Sequence, residues 1–315
     1  LGEGAAADLE WGGCLNLMKG AIVRSDCLTT VSRTYAGEIL YEYYSHGLHR
    51  ILSENRAKLR GVVNGIDTET YDPATDPFIR ENYSAADMSG KAADKRFLQE
   101  KLGLRTDDDL PLIGMVTRLA GHKGIDLLER VIDEIAGLGI QLAVLGTGEQ
   151  RYEEMLRQAE KRHPDMISAS ITFSPELASQ IYAGCDVFLM PSESEPCGLS
   201  QMVAMRYGAV PVVRETGGLK DTVPAYRMLE KTGRGFTFWE YNAHEMLGAV
   251  KRCTAFYRYE RDNFRNLQKN NMLCDFSWGA SEKEYEEIYE GLAGKRGELR
   301  SGKKPASSPI IPKNR

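Results

Sequence analysis

The chain has 315 residues, 42% of them apolar, and a formal net charge of −5. That size suits two domains, or one large α/β domain with attachments, able to bury a sizeable core. The acidic balance excludes a general affinity for nucleic acid or an anionic membrane, so any phosphate site must be a local cluster of basic groups.

The opening LGEGAAADLEWGGCLNLMKG lacks an initiator Met and reads as cut from something longer. Residues 15–60 read as helices around a short strand, with Ser32 available to cap the helical RTYAGEILYEYY. The Tyr-rich EYYSHGLH reads as packing. KLRGVVNGIDTETYDPATDP then gives a short apolar run and a Gly/Asn/Asp/Pro cluster, a strand followed by a loop. From about residue 111 the pattern is regular. Apolar, β-branched runs at LIGMVTRL, QLAVLG, SASITF, DVFLMP and AVPVVR alternate with the helix-period segments GIDLLERVIDEIAGLG, EQRYEEMLRQAEKRHP, PELASQIYAG and GLSQMVAMRYG. Such strands, apolar on both faces, predict an α/β fold with a doubly wound parallel sheet. After Phe238 the chain reads as mainly helical to about Leu292, and residues 293–315 read as a disordered basic, Pro/Ser-rich tail.

No apolar run approaches the roughly 18 residues that span a bilayer, and no signal peptide is recognisable. The six cysteines show no C-x-x-C spacing and read as free thiols in a reducing compartment. The five histidines show no ligand spacing, and no metal is called for.

Open α/β sheets bind ligands beyond the carboxyl ends of their strands, which directs attention to the loops 118–124, 146–149, 173–175, 192–198 and 214–218. In TRLAGHKG, Arg118 at a strand end and Lys123 before a helix could converge on one anion, each charge-assisted bond contributing about 1.5–3 kcal/mol; two solvated cations are an equal alternative. In RETGGLKD, Gly217 and Gly218 permit close backbone approach, and Thr216 and the helix-start N–H groups suit an anion; an ordinary strand-to-helix turn is the plain alternative. LGTGEQ lacks the third glycine of a dinucleotide fingerprint. In SESEPCGLSQ, the N–H groups of Cys197, Gly198 and Leu199 open a helix, and Glu195 lies near the cations. Glu195 could hold a hydroxyl, balance positive charge or cap the helix, and spacing does not separate it from Glu193. Phe173, at the end of its strand, could stack on a flat ring or serve as a core aromatic.

Together TTVSRTYAGEI, GVVNGIDTETYDP, RLAGHKGIDLL, LGTGEQRYEE, PSESEPCGLSQMVAMRYGAVPVVRETGGLKDTV and GFTFWEYNAHEML resemble, in order, the bacterial glycogen synthase and plant starch synthase family. The resemblance covers about residues 15–292. It implies a GT-B fold of two Rossmann-like lobes, and a retaining transfer of glucose from ADP-glucose to the end of an α-1,4-glucan. In that family's terms Arg118 and Lys123 grip the leaving diphosphate and Glu195 is the active-site carboxylate. Cys197, Gly198 and Leu199 form the sugar-binding turn, Thr216, Gly217 and Gly218 the phosphate-proximal loop, and Phe173 takes the place of an adenine-stacking tyrosine. ADP-glucose and α-glucan are the implied partners, with no cofactor, nucleic acid or membrane; the implied location is the cytoplasm of a bacterium or a plant plastid.

The sequence departs from that pattern in three places. Val203 stands where many retaining GT-B enzymes carry a second glutamate, as this family commonly allows, and Ser179 stands where a histidine is often found. The Lys-x-Gly-Gly-Leu loop of the amino-terminal lobe has no counterpart. The expected organisation is therefore an amino-terminal lobe remnant over residues 1–64, a linker or insert over 65–110, the nucleotide-sugar lobe over 111–292, and the tail. Two other readings stand beside this one: a non-catalytic ADP or ADP-glucose binding fragment, and a retaining transferase that uses UDP-sugars.

Overall fold

The computed structural model describes residues 3–300. The chain begins with α1 (Glu3–Leu9), a two-residue pair β1 (Glu10–Trp11) and β2 (Cys14–Leu15), and α2 (Leu17–Arg24). Strand β3 (Leu28–Thr30) leads through Ser32 into α3 (Arg33–Glu38); after α4 (His49–Glu54), β4 (Leu59–Gly61) pairs parallel with β3. Ser32 accepts from the Tyr35 N–H as the cap its position predicts. The helix stops at Glu38, six residues short of the expected Tyr44, and its Gly37 weakens the last turn. A small core of Ile22, Ile39, Ile51 and Leu52 holds this segment together.

A long loop then gives way to α5 (Ser89–Lys101). Residues 65–110 are therefore not simply a linker, because α5 packs on the main domain. Its Lys95 pairs with buried Asp186 at 2.8 Å, and its Gln99 donates to buried Gln141 at 2.7 Å. Two internal bonds between nine-tenths-buried groups commit α5 to the sheet behind it.

The main sheet alternates strand and helix as expected: β5 (Leu112–Val116), α6 (Ile125–Gly137), β6 (Gln141–Leu145), α7 (Gln150–Arg162), β7 (Ile167–Ser170), α8 (Pro175–Gly184), β8 (Val187–Met190), α9 (Ser200–Arg206), β9 (Val210–Arg214) and α10 (Gly217–Thr222). A sixth strand, β10 (Phe236–Phe238), pairs with β9 and was not foreseen. Helices α11 (Ala243–Tyr259), α12 (Arg261–Met272) and α13 (Trp278–Arg300) complete the order. The helix α13 runs through 293–300, so the expected disordered tail is helical there; residues 301–315 lie outside the described residues.

All six strands are parallel, in the order β10-β9-β8-β5-β6-β7. One core, with Leu128, Val131, Ile132 and Phe264, lies on one face of the sheet, and another, with Leu98, Ile181, Met205 and Tyr207, on the other. Each such buried side chain contributes roughly 1.5–3 kcal/mol. The chain reverses direction across the sheet between β5 and β8. In a doubly wound sheet that switch point opens a crevice at the carboxyl ends of the two strands.

Candidate active site

The loops after β5 and β8 meet at this crevice. The Glu193 N–H donates to the His122 carbonyl at 2.9 Å, tying one loop to the other. Lys123 ends a short 3₁₀ turn (Gly121–Lys123), and its ammonium donates to Glu195 Oε2 at 2.7 Å. The Ser192 hydroxyl donates to the same oxygen at 3.0 Å. Only 17% of the Lys123 side chain and 10% of that of Glu195 is exposed. A carboxylate so buried must be paired, and here the pair straddles the switch point.

The structure separates the two glutamates that spacing left open. Glu195 faces Lys123, whereas Glu193 accepts from the Tyr43 hydroxyl of the amino-terminal segment. Partial desolvation of its hydroxyl end and this carboxylate push the Tyr43 phenol up to about 12. The Tyr-rich stretch therefore does more than pack, since Tyr43 is exposed and reaches the site loop. Arg214 at the end of β9 donates to the Glu193 carbonyl at 2.5 Å and to the Trp239 carbonyl at 3.1 Å, bracing the same loop.

Arg118 lies on the same edge, exposed, with Nη2 3.4 Å from His122 Nε2. It also lines a cavity of about 640 Å³ that extends from β5 and β6 towards the loop before α5. Phe173, Thr172 and Thr147 line one side of this cavity, and Tyr71 and Phe78 come from that loop. Phe173 is not at a strand end as expected, because β7 stops at Ser170. It stands in the loop whose Ser174 caps α8, with 87% of its surface exposed. An aromatic ring held open at a cavity mouth is available to a flat partner.

The turn at 196–199 passes beneath Glu195. Cys197 is buried and burial raises its thiol pKa, so it packs rather than reacts. The Gln201 amide donates to the Cys197 and Gly198 carbonyls at 3.3 and 2.8 Å. Leu199 is exposed, and no side chain caps the start of α9.

The Thr-Gly-Gly turn differs most from expectation. Its donors do not stand open towards the crevice. Thr216 Oγ1 donates to Glu38 Oε1 at 3.0 Å, and the Gly217 N–H donates to the same carboxylate at 3.0 and 3.1 Å. The Gly218 N–H donates to the Glu195 carbonyl at 3.1 Å. The glycines are needed for contact with the chain itself. A Cβ on Gly217 would lie 1.9 Å from the Glu195 carbonyl oxygen, and one on Gly218 would lie 2.0 Å from that of Cys197. Glu38 was missed although its motif, TTVSRTYAGEI, was legible; nothing in its spacing points at Thr216.

Among the described residues no group of three or more His, Cys, Asp or Glu could hold a metal ion, and no helix is long and apolar enough to cross a membrane.

The profile of the family described as glycosyl transferases group 1 matches residues 95–261, and that of the starch synthase catalytic domain matches residues 2–54. The glycogen synthase of Desulforamulus reducens is 46% identical over 284 residues, 90% of this chain and 59% of that protein. The glycogen synthase of Geobacillus stearothermophilus is 47% identical over 287 residues, 91% of this chain and again 59% of the relative. Among solved structures, the catalytic domain of Arabidopsis thaliana starch synthase IV, bound to ADP and acarbose, is 36% identical with a TM-score of 0.84. The match covers 90% of this chain and 59% of that one. A sucrose-phosphate synthase from Thermosynechococcus elongatus, 19% identical with a TM-score of 0.59, speaks for the GT-B fold alone. The chain thus spans about three fifths of the length of the relatives it matches. It belongs to the group 1 glycosyl transferases, and within them it is similar to glycogen synthases and starch synthases.

Proposed function

We propose that this chain forms the donor-binding part of a retaining glucosyltransferase that moves glucose from ADP-glucose to the non-reducing end of an α-1,4-glucan. The observation that carries the reading is the buried Lys123–Glu195 pair at the switch point, flanked by Arg118 and by the cavity that Phe173 lines. The ADP and acarbose held by the starch synthase IV neighbour support the choice of nucleotide and of a glucan acceptor.

In this reading the base enters the cavity against Phe173, and the diphosphate lies between Arg118 and Lys123. Charge that develops on the departing nucleotide is met by these cations, the kind of preorganised electrostatic stabilisation that contributes most to many enzymes. Glu195 pairs with Lys123, which keeps the ammonium oriented and largely shielded from solvent. It also supplies a negative charge against the oxocarbenium character of the sugar; it is not assigned as a nucleophile. The N–H groups of Cys197, Gly198 and Leu199 are the proposed donors to glucose hydroxyls. The Thr216–Gly218 turn contributes by supporting Glu195 from behind. Placing the acceptor beside the donor is worth roughly 7–11 kcal/mol in such reactions, so the transfer itself is assigned to the full length that the relatives share. The 315 residues are expected to bind the donor and to transfer glucose negligibly alone.

Calorimetric titration of the folded chain with ADP and then UDP tests this. ADP should bind the more tightly. Preference for UDP would favour a UDP-sugar transferase, and no binding of either would remove the donor-site reading.

A further inference from the structure

Helix α3 lies against α10 at the amino-terminal segment's contact with the main domain. Two neighbouring contacts are made there. The Thr34 N–H donates to Asp221 Oδ2 at 2.9 Å, and the Thr34 hydroxyl donates to Asp221 Oδ1. One helical turn on, Glu38 accepts from Thr216 Oγ1 and twice from the Gly217 N–H. The first contact only docks the helix. The second differs because its donors belong to the turn behind Glu195. Thr216 is fully buried, so its hydroxyl has no water to fall back on.

From this turn the contacts run on to the catalytic edge without a gap. The Gly218 N–H holds the Glu195 carbonyl at 3.1 Å, and the absence of any Cβ at Gly217 and Gly218 lets the turn press on the Glu195 and Cys197 carbonyls. The Glu195 carboxylate then meets Lys123. A turn with both donors satisfied by one carboxylate has a single arrangement, whereas the same turn with unpaired buried donors must shift to find partners.

We propose that Glu38 is a positioning residue for the donor site: its carboxylate fixes the Thr216–Gly218 turn and, through it, the 193–199 loop that carries Glu195. The inference rests on the donor-site reading above and adds to it a dependence of that site on the amino-terminal segment.

Hydrogen exchange read by mass spectrometry on peptides covering 190–199 and 214–222 tests the coupling without any ligand, and ADP titration tests its consequence. Glu38→Ala is expected to speed exchange in both peptides and to weaken ADP binding by about tenfold, the loss of roughly one charge-assisted bond's worth of order. Glu38→Gln, whose carboxamide oxygen can still accept from Gly217, should lie between Glu38→Ala and the wild type. Thr34→Val weakens the same helix contact away from the turn and should leave the 190–199 peptide unchanged. Unchanged exchange at 190–199 in Glu38→Ala would overturn the proposal, as would an equal opening in Thr34→Val. Tighter ADP binding by Glu38→Ala would also overturn it, since Glu38 would then be a competitor for the phosphate seat. If wild-type chain binds no ADP, the donor-site reading fails, while the exchange result still decides for or against Glu38.

Discussion

Lys123 and Glu195 come from the loops of two strands that are adjacent in the sheet but 72 residues apart in sequence, and their side chains meet at 2.7 Å. Both are more than four-fifths covered, so removing either partner leaves the other buried without its ion pair. Lys123→Met should therefore cost about 3 kcal/mol of stability by leaving Glu195 unpaired, and should weaken ADP binding by at least tenfold. Adding Glu195→Gln should recover much of the stability and none of the binding. Chemical denaturation and calorimetry on the two variants measure both effects; full recovery of binding in the double variant would take Lys123 out of the nucleotide site.

Phe173 is a case where stability and binding should part company. With 87% of its surface exposed it contributes little to the core, so Phe173→Ala should leave the melting temperature within about a degree or two. The same change should weaken ADP binding by about 1–3 kcal/mol, the range for an aromatic ring stacked on a base, and Phe173→Tyr should restore it. A Phe173→Ala chain that binds ADP as well as wild type would place the base elsewhere in the cavity.

The sheet was legible because buried parallel strands leave continuous apolar runs, and five of its six strands were read from such runs. Strand β10 escaped because FTF is only three residues long, and its partner β9 supplies the context that makes it a strand. The tail reading failed over 293–300 because composition outweighed the helix-forming pattern that runs on from EKEYEEIYEGL. At the site, Arg118, Lys123, Glu195 and Phe173 were named from the sequence, whereas Glu38, Tyr43 and Arg214 were not. That Glu195 and not Glu193 faces Lys123 follows from how the loops after β5 and β8 meet at the switch point, and that Glu38 takes the donors of Thr216 and Gly217 follows from how α3 packs against α10. Such meetings are tertiary, and no local spacing encodes them.

The tight contact behind Glu195 gives a third expectation. A methyl on Gly218 would sit 2.0 Å from the Cys197 carbonyl oxygen and 2.5 Å from its Cα, backbone atoms with little room to retreat. Gly218→Ala should force the turn and the 196–199 segment apart, costing about 2–3 kcal/mol or more in stability. By contrast Gly291→Ala, at a helical position with nothing within 4 Å of the added carbon, should be neutral or stabilising by up to about 1 kcal/mol. Thermal unfolding of the pair makes the comparison, and equal effects would mean that the turn is looser than its geometry.

Asp94, on the inner side of α5, provides a test that uses pH. The residue is 2% exposed; Oδ1 accepts from the Arg80 and Glu81 N–H groups, while Oδ2 has no partner among the described residues. Burial raises its pKa to about 6, against the lowering influence of those two N–H groups and of Lys91. A carboxyl whose pKa is higher folded than unfolded holds its proton better in the folded chain. Its contribution to stability is therefore most favourable below the unfolded value near 4 and is lost as the pH rises through 6. Asp94→Asn abolishes that titration and keeps the acceptor for Arg80. The stability of the variant relative to wild type should then rise by about 1–2 kcal/mol between pH 5 and pH 7.5, whatever the offset from its unpartnered amide. Urea unfolding at the two pH values measures this difference directly. A difference that stays flat with pH would mean that Asp94 titrates in the folded chain as it does in the unfolded one, and that the buried face of α5 is wetter than its packing implies.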